Sequence, residues 1–205
     1  MKKNATKEKI KKSAIELFNT EDTLSVTTNH IAKHAKISPG NLYYHYKDKC
    51  EIIKEIYLDM SAKFEEYNSF EYILTSDNAL LALSKMFDKY SELFLEYKFL
   101  MRDISTLIAT YPKIKELFLM RQEKRIGQIE GLFKYLISKD IINIPEDEIH
   151  LRAKLNWFIS GYWHLFTSTT GDITKESIKE TKTIVFKMQL YPYLTKYGLE
   201  LYKEI

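Results

Sequence analysis

Cysteine is almost missing from this chain. Its single copy, Cys50, cannot close an internal disulfide, so no disulfide framework is expected and a reducing cytoplasm is the default compartment. Glycine and proline are scarce, six and four among 205 residues. With so few breakers between many Leu, Ile, Lys and Glu residues, the chain should be mostly helix. No apolar run approaches ~20 residues, so no membrane span is expected. The opening MKKNATKEKIKK has cations but no apolar stretch behind them, and it is not read as a secretory leader. HExxH, CxxC, phosphate-loop and triad patterns are absent as well. An enzyme is therefore not expected, nor a cofactor, a metal or a catalytic residue.

What remains is the composition of a soluble globular protein, 45% hydrophobic and 29% charged. The charge is unevenly placed. Residues 1–49 hold ten Lys against five Asp and Glu, a net of +5. Residues 50–205 hold 21 basic and 23 acidic residues, a net of −2. A basic head on a slightly acidic body suits a polyanionic partner, although a solvated lysine-rich terminus would look the same.

Apolar periodicity lays out the helices. Ile10, Ala14, Leu17 and Phe18 form one stripe on a helix from about Thr6 to Thr20. A second helix runs from Thr27 or Thr28 to about His34, and a third from Pro39 to about Tyr44. Ser38 can cap the third, and Pro39 suits its first position, where the missing N–H would be unpaired anyway. Asp48 and Glu51 form a capping-box-like pair that opens a longer helix to about Glu66. Residues 67–76 read as a linker or short turn. Beyond it lie helices from about Ser76 to Tyr97, from Lys98 to about Ala109, and from Pro112 to about Ser138. Another runs from Pro145 to about Thr170. A last pair covers roughly 174–190 and 192–204. The fold class is all-α. The stretch Leu155–Phe166 is apolar nearly all the way round, which predicts a helix buried on more than one side.

The stretch Thr27–Lys49, TTNHIAKHAKISPGNLYYHYKDK, is dense in polar-tipped aromatics and cations. His30 and His34 have helical metal spacing but no third ligand nearby, so they read as a surface pair. In order come the stripe ending in Leu17-Phe18, Thr27-Thr28, Ile31-Ala32, Ala35-Lys36-Ile37-Ser38, Gly40, Leu42-Tyr43, and Tyr46 through Lys49. Taken together, residues 10–56 resemble the N-terminal DNA-binding domain of the TetR (tetracycline-repressor-like) family of bacterial transcriptional regulators. Two positions depart from the family pattern: Lys36 stands where the turn usually has Gly, and Tyr46 where Phe is usual. A non-Gly residue at Lys36 is strained if its φ is positive. Phe99–Asp103 (FLMRD), Tyr111-Pro112 and Leu190–Gly198 (LYPYLTKYG) resemble the regulatory domain of one subgroup.

The resemblance implies a helix-turn-helix domain over residues 1–50 and a helical regulatory and dimerisation domain over 51–205, bridged by the helix from about 48 to 66. It implies a sequence-specific regulator, a repressor by the family's usual mode, acting as a homodimer on a near-palindromic double-stranded DNA operator. Phosphates would be held by Tyr43, Tyr44 and Lys49, and the backbone by Thr27 and Thr28. Ser38 and Pro39 set the start of the recognition helix. Gly40 permits close approach to the groove, with Asn41 and His45 placed for base edges.

An effector pocket is expected in the body. Its candidate lining is Phe87, Tyr90, Phe94, Phe99, Met101, Arg102, Phe118, Trp157, Tyr162, Trp163 and His164, which favours a hydrophobic or aromatic small molecule. Arg102 could meet an anion or simply pair with Asp103. Ile178, Thr181, Val185 and Met188 follow a 3-4-3 seam that fits a partner helix, the candidate dimer contact. Two other readings are a helical DNA binder without effector and a helical enzyme on an apolar substrate. A solid core with no cavity would favour the former.

Overall fold

A computed structural model describes residues 2–67 and 70–205. Its α-helices are α1 (Lys2–Thr20), α2 (Thr28–His34), α3 (Pro39–His45), α4 (Lys49–Tyr67), α5 (Phe70–Leu74), α6 (Ala79–Glu96), α7 (Lys98–Thr110), α8 (Pro112–Ser138), α9 (Ile149–Ser168), α10 (Lys175–Ile184) and α11 (Lys196–Tyr202). Among the described residues there is no strand, only an isolated bridge between Ile142 and Leu194.

Local chemistry sets the starts of these helices. The Thr27 side chain accepts from the His30 N–H at 3.2 Å, Ser38 from Asn41 at 3.2 Å, and Asp48 from Glu51 at 2.9 Å. Each bond satisfies one of the N–H groups that a first helical turn leaves open. Asn78, Thr174 and Thr195 cap α6, α10 and α11 in the same way. Three expectations need correction. The linker over 67–76 contains α5; its residues 68 and 69 lie outside the described residues. The acids behind Pro145 occupy a single 3-10 turn, Glu146–Glu148, and α9 begins only at Ile149. The helix over 174–190 opens after Ile184 into a π-helical turn, Val185–Leu190.

Two apolar clusters hold the chain together, and the first is not confined to the head. Ile10, Phe18, Ile31, Leu42, Ile52 and Ile56 pack with Leu100, Ile104 and Leu107 of α7. Phe18 and Phe99, both fully buried, meet at 5.0 Å between ring centroids. Burial of such a side chain is worth about 1.5–3 kcal/mol. The second cluster joins Leu80 and Leu83 of α6, Phe133 and Leu136 of α8, Ala153 of α9, and Val185 and Phe186. Near the C-terminus, Gly198 sits so close to the Ile141 carbonyl that a Cβ would lie 2.0 Å from its oxygen. That contact and the Thr195 N–H bond to the same carbonyl at 3.1 Å dock α11.

Candidate functional site

The α2–turn–α3 unit is compact and its outer face is open. Ile31, Ala32 and Leu42 are buried beneath it, while Tyr43 and Tyr44 are 51% and 70% exposed. The turn closes with Ala35 bonded to Ile31 and Ile37 N–H reaching back to Ala32 at 3.0 Å. This places Lys36 in the left-handed region, with φ 51°. The strained position expected from the sequence is therefore occupied by lysine. Thr28 Oγ1 and the Tyr43 hydroxyl share a hydrogen bond at 2.9 Å, which fixes the start of α2 against α3. Thr27, Ser38, Pro39, Gly40 and Asn41 are exposed on the same unit, and His45 is half-buried with its ring edge-on to Tyr44. His30 Nδ1 accepts from the Thr27 N–H, and His34 lies 3.7 Å from Glu16. Tyr46 is buried, with Lys7 4.8 Å over its ring.

Lys49 differs from the others. Its Nζ donates to the carbonyls of Thr23 and Leu24 at 2.9 Å and of Val26 at 2.8 Å. An ammonium has three hydrogens. All three are engaged by the loop before α2, so Lys49 braces that loop. Burial also lowers its pKa, against the pull of Asp22. Lys47, two residues earlier, is exposed.

Behind the head lies a cavity of about 140 Å³. Tyr57, Met60 and Phe64 of α4 form one wall, and α6 to α10 with the π-helical turn after α10 supply the rest. Of the expected lining, Phe87, Tyr90, Phe94, Met101, Phe118, Trp157, Tyr162 and His164 reach it. Phe99, Arg102 and Trp163 do not. Phe99 is fully buried against Phe18. Arg102 donates to the carbonyls of Phe18 and Glu21 and pairs with Asp103 at the seam between head and body. Trp163 turns outward to Glu180, 3.1 Å from its indole nitrogen.

Several polar groups in the wall are unmet. Among the described residues, neither ring nitrogen of His164 nor the Trp157 indole nitrogen has a hydrogen-bond partner. Burial pushes His164 down to about 4, so it is neutral at neutral pH. Sequence reading missed Arg121 and Arg125, which line the cavity from α8. Desolvation pushes Arg125 down to about 10. The available signal was their place on the apolar line itself, at i+3 and i+7 from Phe118 and about two to three turns before Leu132.

The candidate dimer seam is corrected by burial. Ile178, Thr181 and Val185 are buried within this chain, where they line the cavity, and only Met188 is exposed, at 68%. The wider π turn carries Met188 off the line of the other three. Nor is α9 buried on all sides. Leu151, Leu155, Phe158 and Phe166 form an exposed apolar stripe along it, while Ala153, Asn156 and His164 face inward.

No helix among the described residues is long and apolar enough to cross a membrane, and no group of three or more His, Cys, Asp or Glu is placed to hold a metal ion. Burial and the nearby Asp48 carboxylate raise the Cys50 thiol above its ordinary pKa, so it has no nucleophile's setting.

Two family profiles match the chain. The one described as "Bacterial regulatory proteins, tetR family" covers residues 10–56, and the one described as "Bacterial transcriptional repressor" covers 64–202. A TetR-family transcriptional regulator from Marinobacter aquaeolei VT8 is 27% identical, over 97% of this chain and 96% of that one, with a TM-score of 0.79. A Clostridium perfringens protein, provisionally named a fatty acid metabolism regulator, is 25% identical over 86% of this chain and 95% of its own, with a TM-score of 0.56. SmeT, solved with triclosan, shares the fold at 16% identity and a TM-score of 0.63, over 94% of this chain and 93% of its own. These likenesses point to a transcriptional regulator rather than an enzyme.

Proposed function

This chain belongs to the TetR family of bacterial transcriptional regulators, and we propose that it is a cytoplasmic, homodimeric repressor released from a near-palindromic operator by a small, mostly apolar effector. The observation that carries the effector part is the double duty of α4. Its Ile52 and Ile53 are buried in one cluster with Leu42 of α3, and its Tyr57, Met60 and Phe64 form a wall of the cavity. A ligand in the cavity therefore touches the helix on which the head is mounted. The effector works only insofar as it binds one placement of α4 better than the other. The cavity also weighs against a DNA binder without effector, whose body would be solid.

On the DNA side the contact set is Thr27, Thr28, Ser38, Pro39, Gly40, Asn41, Tyr43, Tyr44 and His45. Asn41 and His45 read base edges, and the hydroxyls of Tyr43 and Tyr44 hold phosphates. Lys49 is assigned to bracing rather than to phosphate, and the exposed Lys47 takes the phosphate contact instead. The dimer forms through the exposed stripe of α9 together with Met188, since an apolar face of this length is normally covered. SmeT, solved in complex with triclosan, and the Clostridium perfringens relative named for fatty acid metabolism fit an apolar effector.

Footprinting on the DNA flanking the protein's own gene tests the proposal. Two protected half-sites, centred about 10–10.5 bp apart or at a multiple of that, are the expected result. No protected region there, or a single unpaired half-site, would overturn it.

A further inference from the structure

Arg125 stands in the cavity wall with only 4% of its surface exposed, and its charge is poorly met. Nη1 donates to Gln128 at 2.6 Å. Nη2 lies 3.3 Å from a Glu65 carboxylate oxygen, close enough for attraction. Among the described residues, however, neither Nε nor Nη2 makes a hydrogen bond. The Phe64 ring covers the guanidinium carbon at 3.9 Å. Arg121, one turn earlier, is 4.0 Å from the same Glu65 oxygen and 4.9 Å from the same ring. Lys124 holds the other oxygen of that carboxylate at 3.1 Å. Three cations of α8 thus share one carboxylate, which is itself about a third exposed, at 34%.

A buried cation needs a close anion with hydrogen-bond geometry. The Nε–Nη2 edge is the side of a guanidinium that takes a carboxylate through two parallel bonds. Here that edge makes no hydrogen bond and has only Glu65 3.3 Å from Nη2, while the surrounding wall is Leu83, Phe87, Phe94, Ile104 and Leu132.

We propose that the effector is an amphiphilic organic anion, an apolar body bearing one carboxylate, whose head replaces Glu65 on Arg125. This rests on the effector cavity proposed above and adds the ligand's chemical class and the contact it breaks. Glu65 lies in the last turn of α4, and the same helix begins at Lys49, its Ile52 and Ile53 buried in one cluster with Leu42 of α3. Its 19 residues make a rod about 28 Å long. Exchange of Glu65 for the ligand head frees the far end of that rod from α8. The Glu65–Arg125 pair exists only without ligand, so the two states differ in a contact the ligand itself replaces.

Decanoate and decanol, titrated into the full-length protein at pH 8 below their micelle concentrations, test this by tryptophan fluorescence, Trp157 being in the wall. The wild type should bind decanoate at least tenfold more tightly than decanol. Glu65→Gln should tighten decanoate about tenfold and leave decanol unchanged, because the competing carboxylate is gone. Arg125→Met should abolish the preference; the wild-type comparison and Glu65→Gln stand even if that variant folds poorly. Equal affinities in the wild type would overturn the anion while leaving an apolar effector standing. An unchanged decanoate affinity in Glu65→Gln would overturn the exchange. Failure of both compounds to bind would overturn this inference and the effector reading together.

Discussion

The Arg102 guanidinium of α7 donates to the Phe18 carbonyl near the end of α1 at 2.9 Å, which ties the body to the head. The same Nη2 reaches the Glu21 carbonyl at 2.7 Å, and Asp103 accepts from the Thr23 hydroxyl at 2.5 Å. Beside them, Asn19 bonds the Glu96 carbonyl at 2.8 Å and the Phe99 N–H at 3.0 Å. Burial alone would raise the Asp103 carboxyl, but Arg102 and Thr23 hold it below its ordinary value. Head and body are thus bonded at this seam as well as joined through α4. Arg102→Ala should cost about 2 kcal/mol of stability, the worth of charge-assisted bonds lost from a part-buried site. A urea midpoint equal to that of the wild type would contradict this.

Lys36 offers a gain rather than a loss. Its φ of 51° suits glycine. Lys36→Gly should raise unfolding stability by about 0.5–1 kcal/mol, as strain in the turn is relieved. The check is chemical denaturation of the two proteins side by side; a less stable glycine variant would refute the strain argument.

Lys47 and Lys49 should separate cleanly. Lys47 is exposed beside α3, whereas Lys49 is bonded to three carbonyls. Lys47→Ala should reduce the slope of log affinity against log salt on operator DNA by about 1, with little change in melting temperature. Lys49→Ala should lower the melting temperature and leave the slope unchanged. The reverse pattern would restore Lys49 to the phosphate contacts.

His164 should make stability depend on pH. Its folded pKa of about 4 lies below the unfolded value near 6.5. Between those values the unfolded chain takes up a proton that the folded chain refuses. Stability is therefore fully present above pH 6.5 and falls as pH drops through the window, by about 3 kcal/mol in all. His164→Phe should remove that part of the acid sensitivity. Denaturation of both proteins at pH 7 and pH 5 measures it, and parallel losses would exclude His164 as the source.

Phe158 is 58% exposed midway along the α9 stripe. Phe158→Glu places a charge where a partner's apolar surface is proposed, and should shift the protein from dimer to monomer in sedimentation at micromolar concentration. A dimer as tight as the wild type would move the interface elsewhere.

The head was legible in the sequence because its signals are local. Thr27, Ser38-Pro39 and Asp48-Glu51 each act within three or four residues, and the structure places all three caps. Lys49 was not legible, because its partners at Thr23, Leu24 and Val26 sit on an earlier loop that only the folded head brings near. In the body, the stripe Phe87–Tyr90–Phe94 led to the cavity, and Trp157 and His164 face it from α9. The 3-4-3 seam over 178–188 misled because periodicity marks a buried face without naming what buries it. Arg121 and Arg125 were passed over because arginines among Lys and Glu read as a solvated face. Their spacing from Phe118, at i+3 and i+7, is what places them on the apolar side of α8.

The central claim, that α3 reads a specific DNA sequence, is tested most directly by fluorescence anisotropy. The protein would be titrated, at one fixed physiological salt concentration, against a duplex from the DNA flanking its own gene and a scrambled duplex of the same length. The account expects the native duplex to bind at least about 10³-fold more tightly, the lower end for specific over non-specific binding. Equal affinity for the two duplexes would contradict it.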